Sequence, residues 1–121
     1  MGLKVLTVDD SRVMREMLLM ALTQAGFEVV QAEDGQHGLE VLPGAAPDVI
    51  ITDINMPRMD GFGFIEGVRR TELYRGTPIL VLSTEFDAEK KARARNAGAT
   101  GWIVKPFDAE KLVAAVNRVA A

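Results

Sequence analysis

The chain has 121 residues, no cysteine and a formal charge of −3 at pH 7. A chain of this length is expected to form one domain, residues 1–121, and to bury roughly two-thirds of its unfolded surface without disulfides or thiolate-bound metals. The negative charge argues against DNA as the main partner, and no signal peptide or membrane-spanning run is recognisable, so we expect a cytoplasmic protein without membrane contact.

Short apolar runs alternate with segments of helical spacing along the whole chain. Apolar residues three and four positions apart favour helices, and short runs bounded by turn residues favour buried strands. In chain order we predict a strand at 3–8, a helix at 11–25, a strand at 27–32, a helix at 35–42, a strand at 49–53, a helix at 62–70, a strand at 78–82, a helix at 87–97, a strand at 102–104 and a final helix through 119.

Turn and capping residues mark the predicted helix ends. Asp10 or Ser11 can cap the first helix, since either side chain can accept a hydrogen bond from the first turn. Asp60 and Asp108 can cap the third and the last helices in the same way. The second helix is expected to end before the proline- and glycine-containing segment 43–47.

Strands that alternate with helices predict a single α/β domain, a doubly wound (βα)5 parallel sheet with helices on both faces. Right-handed crossovers leave few topologies, and ligand sites of such sheets lie at the carboxyl ends of the strands. If the polar strand ends meet, the first and third strands are neighbours, which gives the flavodoxin-like order 2-1-3-4-5. The polar residues at these ends are Asp9, Asp10, Asp53, Ser83 and Lys105.

Three acidic residues are expected to converge at this edge of the sheet. Like charges ~4 Å apart repel by about 4 kcal/mol at an effective dielectric of 20, so the cluster needs a cation or raised carboxyl pKa values. Oxygen ligands with an open side suit Mg²⁺, and the carbonyl of Asn55 could supply another oxygen. Taken singly, Asp10 could merely cap a helix and Asp53 could merely end a strand, but Asp9 beside them favours a site.

Lysine and hydroxyl groups follow the last two strands. Lys105 at a strand end would supply a positive charge for a phosphate or for the acids, although a surface lysine before a loop proline is the simpler interpretation. The Lys105-Pro106 bond is a candidate cis peptide. Ser83 and Thr84 point to opposite sides of the strand, so only one can reach Asp53, and spacing alone does not choose.

These motifs occur together in one order: Asp9-Asp10, Asp53, the Met56-Pro57-Arg58-Met59-Asp60-Gly61 loop, Ser83 and Lys105-Pro106-Phe107. In this arrangement the whole chain closely resembles the receiver domain of two-component response regulators. Because the chain ends with the fifth helix, it resembles the stand-alone chemotaxis receivers of the CheY type. The resemblance implies a CheY-like fold and a signalling protein, rather than an enzyme, with self-phosphorylation and autodephosphorylation chemistry.

The resemblance also implies roles for the strand-end residues. Asp53 would accept a phosphoryl group from a phosphohistidine on a sensor kinase. Asp10 and Asp53, with the Asn55 carbonyl, would hold Mg²⁺, and Asp9 would help through a water molecule. Lys105 would contact the phosphoryl group, whose transfer depends on positioning and charge neutralisation.

The family spacing further assigns the switch residues. Counting back from Lys105 selects Ser83, not Thr84, as the switch hydroxyl, and Trp102 occupies the position of the switch aromatic, which is usually Tyr or Phe. Asn55, Thr84 and Glu85 flank the site and are expected to modulate the rate of hydrolysis. Phosphorylation would then change a surface built from the fourth helix, fifth strand and fifth helix.

The sequence is compatible with several functions. The resemblance implies a monomer that pairs with a CheA-type histidine kinase, a flagellar motor switch protein and, in some systems, a phosphatase. A phosphate sink that drains the kinase is an alternative, as is a receiver fragment of a longer regulator, which the lack of a linker after residue 119 disfavours. A flavodoxin or a haloacid-dehalogenase-type phosphatase is a more distant alternative, because the acids are misplaced for either.

Overall fold

The computed structural model describes residues 2–121, in which five strands alternate with five α-helices. A short 3-10 helix, Glu72–Tyr74, lies between the third predicted helix and the fourth predicted strand. The elements in chain order are β1 (Lys4–Val8), α1 (Arg12–Gln24), β2 (Glu28–Ala32), α2 (Gly35–Ala45), β3 (Val49–Thr52), α3 (Gly61–Arg70), β4 (Ile79–Ser83), α4 (Ala88–Ala97), β5 (Gly101–Val104) and α5 (Ala109–Ala120).

The five strands form one parallel sheet in the order β2-β1-β3-β4-β5. This confirms the predicted 2-1-3-4-5 topology and its switch point between β1 and β3. The register pairs Val8 with Thr52, so the two strands end side by side. As a result, the residues that follow them, Asp9 and Asp53, are brought together by the sheet itself.

Helices cover both faces of the sheet and create two apolar layers. On one face α2, α3 and α4 pack against the sheet around Phe64 and Ile65, both fully buried. On the other face α1 and α5 pack around Leu22 and Leu112. The central strand β3 is buried along its whole length, as its continuous apolar run predicted. Within residues 2–121, no helix is both long and apolar enough to cross a membrane.

The second helix is longer than predicted. It continues through Pro43 to Ala45, where the prediction ended it at residue 42. Proline has a backbone φ that suits a helix, but it lacks an N–H donor and its ring crowds the carbonyl four residues earlier, so α2 continues through Pro43 with one backbone hydrogen bond fewer. The helix stops instead at Ala46, which adopts the left-handed conformation (φ 44°) and donates its N–H to the Leu42 carbonyl.

The predicted caps are present, with one choice resolved. The Ser11 hydroxyl accepts a hydrogen bond from the Met14 N–H at 3.2 Å, so Ser11, and not Asp10, caps α1. Asp60 and Asp108 cap α3 and α5 as expected. Because Ser11 performs the capping, the Asp10 carboxylate is left free of that local role.

Candidate functional site

Three carboxylates meet at the carboxyl edge of the sheet. Asp9 and Asp53 directly follow the paired ends of β1 and β3, and the Asp53 N–H donates to the Val8 carbonyl at 2.9 Å. One carboxylate oxygen from each of Asp9, Asp10 and Asp53 lies within 4.8 Å of the others. The structure therefore confirms the predicted convergence of the three acids.

Lys105 reaches this cluster from the end of β5. Its Nζ lies 2.9 Å from Oδ2 of Asp9 and 2.9 Å from Oδ2 of Asp53. The Lys105 side chain is only 10% exposed, so it is not the surface lysine of the simpler interpretation. The Lys105 N–H donates to the Ser83 carbonyl, and the following bond to Pro106 is cis, as the sequence suggested.

Burial and charge act in opposite directions on the pair of Asp9 and Lys105. Burial is the main cause that raises the pKa of the Asp9 carboxyl, and hydrogen bonds from Lys105 and from the Ser11 N–H oppose it. Burial also acts to lower the pKa of Lys105, but its bonds to Asp9 and Asp53 outweigh that effect and the pKa is raised. The ammonium form of Lys105 is therefore held firmly at neutral pH.

One ammonium group does not balance three carboxylates, so the site favours an additional cation. The donor set consists of carboxylate oxygens, and Asp10 lies on the exposed side while Asp9 is 1% exposed. Oxygen ligands that leave one side open to water and phosphate are the set that Mg²⁺ prefers. The residues present thus fit the metal that the sequence predicted.

The Asp53 carboxylate is fixed on both of its oxygens. Oδ1 accepts a hydrogen bond from the Ile54 N–H at 2.6 Å, and Oδ2 faces Lys105. Gly61, at the start of α3, packs so closely that a Cβ there would lie 2.2 Å from the Asp53 carbonyl oxygen. The carboxylate therefore sits on a backbone that is held tightly from the β3–α3 side.

The two candidate hydroxyl residues differ in burial. Ser83 is fully buried at the end of β4, and its Oγ accepts a hydrogen bond from the Glu85 N–H at 3.2 Å. Thr84 is exposed. The burial of Ser83 agrees with the family spacing, which selected it over Thr84.

The loop between β4 and α4 is tied to β5 and to the β3–α3 loop. The indole N–H of Trp102 donates to the Glu85 carbonyl at 2.9 Å. The Glu85 carboxylate lies 3.0 Å from Lys90 Nζ and accepts a 3.4 Å hydrogen bond from Asn55. The bond from Lys90 is the main reason that the pKa of Glu85 is lowered, with Asn55 contributing. Trp102 thus contacts the loop that carries Thr84 and Glu85, two of the three predicted rate-modulating residues.

Sequence reasoning missed two arginines beside the site. Arg15 on α1 donates Nη1–H to the Asp9 carbonyl at 2.8 Å. Arg58 in the β3–α3 loop forms a bidentate ion pair with Asp34, which lies at the start of α2. Neither partner could be read from spacing, because a long side chain on one element reaches an acceptor on another.

Comparison with known proteins gives a consistent result. The profile of the response regulator receiver domain family matches residues 5–117. The chain is 37% identical to a probable chemotaxis protein CheY of Rhizobium etli over 118 residues, which cover 97% of this chain and 92% of that protein. It is 33% identical to protein PilG of Pseudomonas aeruginosa over 116 residues, covering 96% and 86%.

A solved structure and a longer sequence relative support the same family. The chemotaxis protein CheY4 of Vibrio cholerae superimposes with a TM-score of 0.94 at 48% identity, covering 98% of this chain and 99% of that one. The chain also matches the phosphate regulon transcriptional regulatory protein PhoB of Escherichia coli at 34% identity, where it spans 52% of the longer protein.

Proposed function

Because the chain belongs to the response regulator receiver domain family, we propose that Asp53 accepts a phosphoryl group from a histidine kinase in the presence of Mg²⁺. The observation that carries the proposal is the position of the Lys105 ammonium, 2.9 Å from both Asp9 and Asp53 within a cluster of acids. A nucleophilic carboxylate, a compensating cation and an oxygen-lined cation site are the parts that phosphoryl transfer requires.

In the proposed reaction a carboxylate oxygen of Asp53 attacks the phosphorus of a phosphohistidine on the kinase. The new O–P bond forms as the N–P bond breaks, and the electron pair returns to the imidazole nitrogen, which takes up a proton. Lys105, already 2.9 Å from Oδ2 of Asp53, pairs with the charge that develops on the transferred group. Phosphoryl transfer needs little more from the protein than this positioning and neutralisation.

The metal would be held by Asp10 and Asp53 with the backbone carbonyl of Asn55, and Asp9 would contribute through water. When bound, Mg²⁺ would neutralise negative charge on the phosphoryl oxygens. The Asp9 carboxylate, buried and bonded to Lys105 and to the Ser11 N–H, has little freedom to move. Asp9 would therefore present a fixed carboxylate to the water molecule that links it to the metal.

The proposed output begins at Ser83. Its hydroxyl accepts the Glu85 N–H, so its own proton is available to a phosphoryl oxygen on Asp53. By analogy with other phosphorylated side chains, the modification adds nearly two negative charges and several acceptor oxygens. A movement of Ser83 toward them would pull on the β4–α4 loop, which Trp102 joins to β5 through the Glu85 carbonyl.

The surface that would respond consists of α4, β5 and α5. Two grooves lie beside β5, one against α4 and one against α5. The first groove is lined by Lys91 and Arg95, and the second by Lys111 and Arg118 together with one acidic residue, Asp108. A positively charged surface of this kind suits an acidic segment of a partner protein.

Chemotaxis is the setting we favour, with a CheA-type kinase and a flagellar motor switch protein as partners, because a chemotaxis protein from Rhizobium etli and one from Vibrio cholerae resemble the chain over nearly its whole length. The alternative is a phosphate sink, which would carry the same Asp53 chemistry without a motor partner. A phosphatase could act on the phosphorylated protein in either role.

A peptide from a motor switch protein, titrated with and without Mg²⁺ and beryllofluoride, separates the motor role from the phosphate sink. Tighter binding with beryllofluoride supports the motor role, and no binding supports the sink.

The phosphoacceptor itself is tested by transfer from a phosphorylated histidine domain of a CheA-type kinase, followed by intact mass spectrometry. We expect one phosphoryl group on the wild type and none on Asp53→Asn. Asp108→Asn is the matched control, because Asp108 caps α5 and is not one of the three clustered acids, and asparagine also caps helices. Label at wild-type levels on Asp53→Asn, or none on the wild type with Mg²⁺, would refute the proposal.

A further inference from the structure

The β3–α3 loop, which follows Asp53 in the chain, contains a strained turn. The Met59 N–H donates to the Pro57 carbonyl at 2.6 Å, which closes a three-residue turn around Arg58. Arg58 has a positive φ of 63°, a conformation that residues with a Cβ rarely adopt. A three-residue turn of this hand is rare and strained, so another interaction must hold it.

That interaction is an ion pair with Asp34. Nε of Arg58 donates to Oδ2 of Asp34 at 2.8 Å, and Nη2 donates to Oδ1 at 3.1 Å. Asp34 is 4% exposed and also caps α2, because Oδ1 accepts the His37 N–H at 2.8 Å. The Arg58 side chain is therefore anchored to a carboxylate that is itself fixed at a helix terminus.

A second contact joins the same two segments. The Gly35 N–H donates to the Met59 carbonyl at 3.0 Å, and a Cβ at Gly35 would lie 2.6 Å from that carbonyl oxygen. The turn is thus pressed against the start of α2. Its position relative to the rest of the domain is set by these contacts to the β2–α2 connection.

The turn lies two residues after Asn55, whose carbonyl is a ligand in the proposed metal site. At the far end of the loop, the Gly61 N–H donates to the Ile54 carbonyl at 2.8 Å. Asn55 is therefore held between a fixed loop base and the turn at Arg58. A turn that relaxed to an ordinary conformation would redirect the backbone on the carboxyl side of Asn55.

We propose that Arg58 and Asp34 are positioning residues for the cation site: their ion pair holds the strained turn and so keeps the Asn55 carbonyl directed at the acidic cluster. The inference rests on the proposed function, since it concerns the affinity of that site for Mg²⁺. Partners beyond the direct ligands commonly change metal affinity by about tenfold or more. Neither Arg58 nor Asp34 would touch the metal.

The test is Mg²⁺ binding to the purified protein, measured by isothermal titration calorimetry, with three substitutions. Arg58→Ala removes the ion pair and leaves a residue that disfavours a positive φ, so the Mg²⁺ dissociation constant should rise about tenfold. Asp34→Asn keeps the helix cap and removes the charge, and should give a similar rise. Arg58→Asn also lacks the pair but tolerates a positive φ, so its dissociation constant should stay within about twofold of the wild type.

A control at another ion pair separates the positioning role of Arg58 from the general loss of a charged contact. Arg12→Ala removes an exposed ion pair on α1 and should leave Mg²⁺ binding unchanged. A dissociation constant for Arg58→Ala within twofold of the wild type, or equal losses in Arg58→Ala and Arg58→Asn, would overturn the inference. Failure of the wild type to bind Mg²⁺ at all would instead overturn the proposed function, so the two failures are distinguishable.

Discussion

The ammonium nitrogen of Lys105 lies 2.9 Å from Oδ2 of Asp53, although 52 residues separate them in the chain. The contact joins the end of β5 to the end of β3 across the intervening strand β4. Because Asp9 shares the same ammonium group, Lys105 is the internal counterion of the acidic cluster. Its loss should therefore be felt in stability as well as in phosphoryl transfer.

Lys105→Met should lower the free energy of unfolding by about 3 kcal/mol in the absence of Mg²⁺, because it leaves buried carboxylates without their partner. Added Mg²⁺ should recover more stability in this variant than in the wild type. Urea unfolding with and without Mg²⁺ measures both effects, and Lys111→Met provides a control at an exposed lysine on α5. Equal stability of Lys105→Met and Lys111→Met would contradict the counterion role.

Trp102→Phe should loosen the loop between β4 and α4. The substitution removes the indole N–H that donates to the Glu85 carbonyl, a bond whose loss costs about 1 kcal/mol. Amide hydrogen exchange in residues 84–88 should therefore become about fivefold faster, while exchange in β1 stays unchanged. Unaltered exchange in the loop would show that the indole bond does not restrain it.

Thr84→Ala should accelerate the loss of the phosphoryl group from Asp53. Thr84 is exposed beside the site, where a bulkier side chain hinders the approach of an attacking water. The decay of phosphorylated protein after removal of the donor measures the rate. A decay equal to or slower than that of the wild type would show that Thr84 does not shield the bond.

Thr7→Val should raise the free energy of unfolding by about 1 kcal/mol. The Thr7 hydroxyl on β1 is fully buried and has no hydrogen-bond partner among residues 2–121. Thr52→Val is the matched comparison, since that buried hydroxyl donates to the Asp53 carbonyl at 2.8 Å and its removal should destabilise the protein. Urea unfolding of both variants measures these changes in unfolding free energy. A loss of stability in Thr7→Val would contradict the prediction and indicate an unrecognised partner of the Thr7 hydroxyl.

The ion pair of Asp34 and Arg58 should make the stability of the fold decrease in acid. The hydrogen bond from Arg58 is the main reason that the pKa of Asp34 falls below its ordinary value of 3.8. A lowered pKa stabilises the fold at pH values above 3.8, and this contribution disappears as the pH falls through the lowered pKa. The difference in unfolding free energy between the wild type and Asp34→Asn should therefore narrow below about pH 4. Urea unfolding midpoints measured from pH 7 to 3 test this prediction. A difference that stays constant over this pH range would contradict it.

Much of the fold and of the acidic cluster could be predicted from the sequence. The strand order could be predicted because parallel strands end at one edge, where the polar residues Asp9, Asp10, Asp53, Ser83 and Lys105 were expected to meet. The helix caps were readable because they are local. The extension of α2 through Pro43 was not, since a proline near a helix end is compatible with both outcomes.

The contacts that sequence reasoning missed share a physical cause. Arg58 meets Asp34 from 24 residues away, and the Trp102 indole meets the Glu85 carbonyl from 17. Such bonds depend on the direction of a side chain and on the path of two loops, and neither is encoded in hydrophobic periodicity. The positive φ of Arg58 is of the same kind, because a tertiary contact holds a conformation that the residue itself disfavours.

We claim that phosphorylation of Asp53 controls the surface formed by α4, β5 and α5. The most direct measurement is the amide NMR spectrum before and after addition of Mg²⁺ and beryllofluoride, in the wild type and in Asp53→Asn. We predict that the wild type shows shifts along residues 84–104 and into α5, and that the variant shows none. Shifts confined to the residues next to Asp53 would contradict the claim.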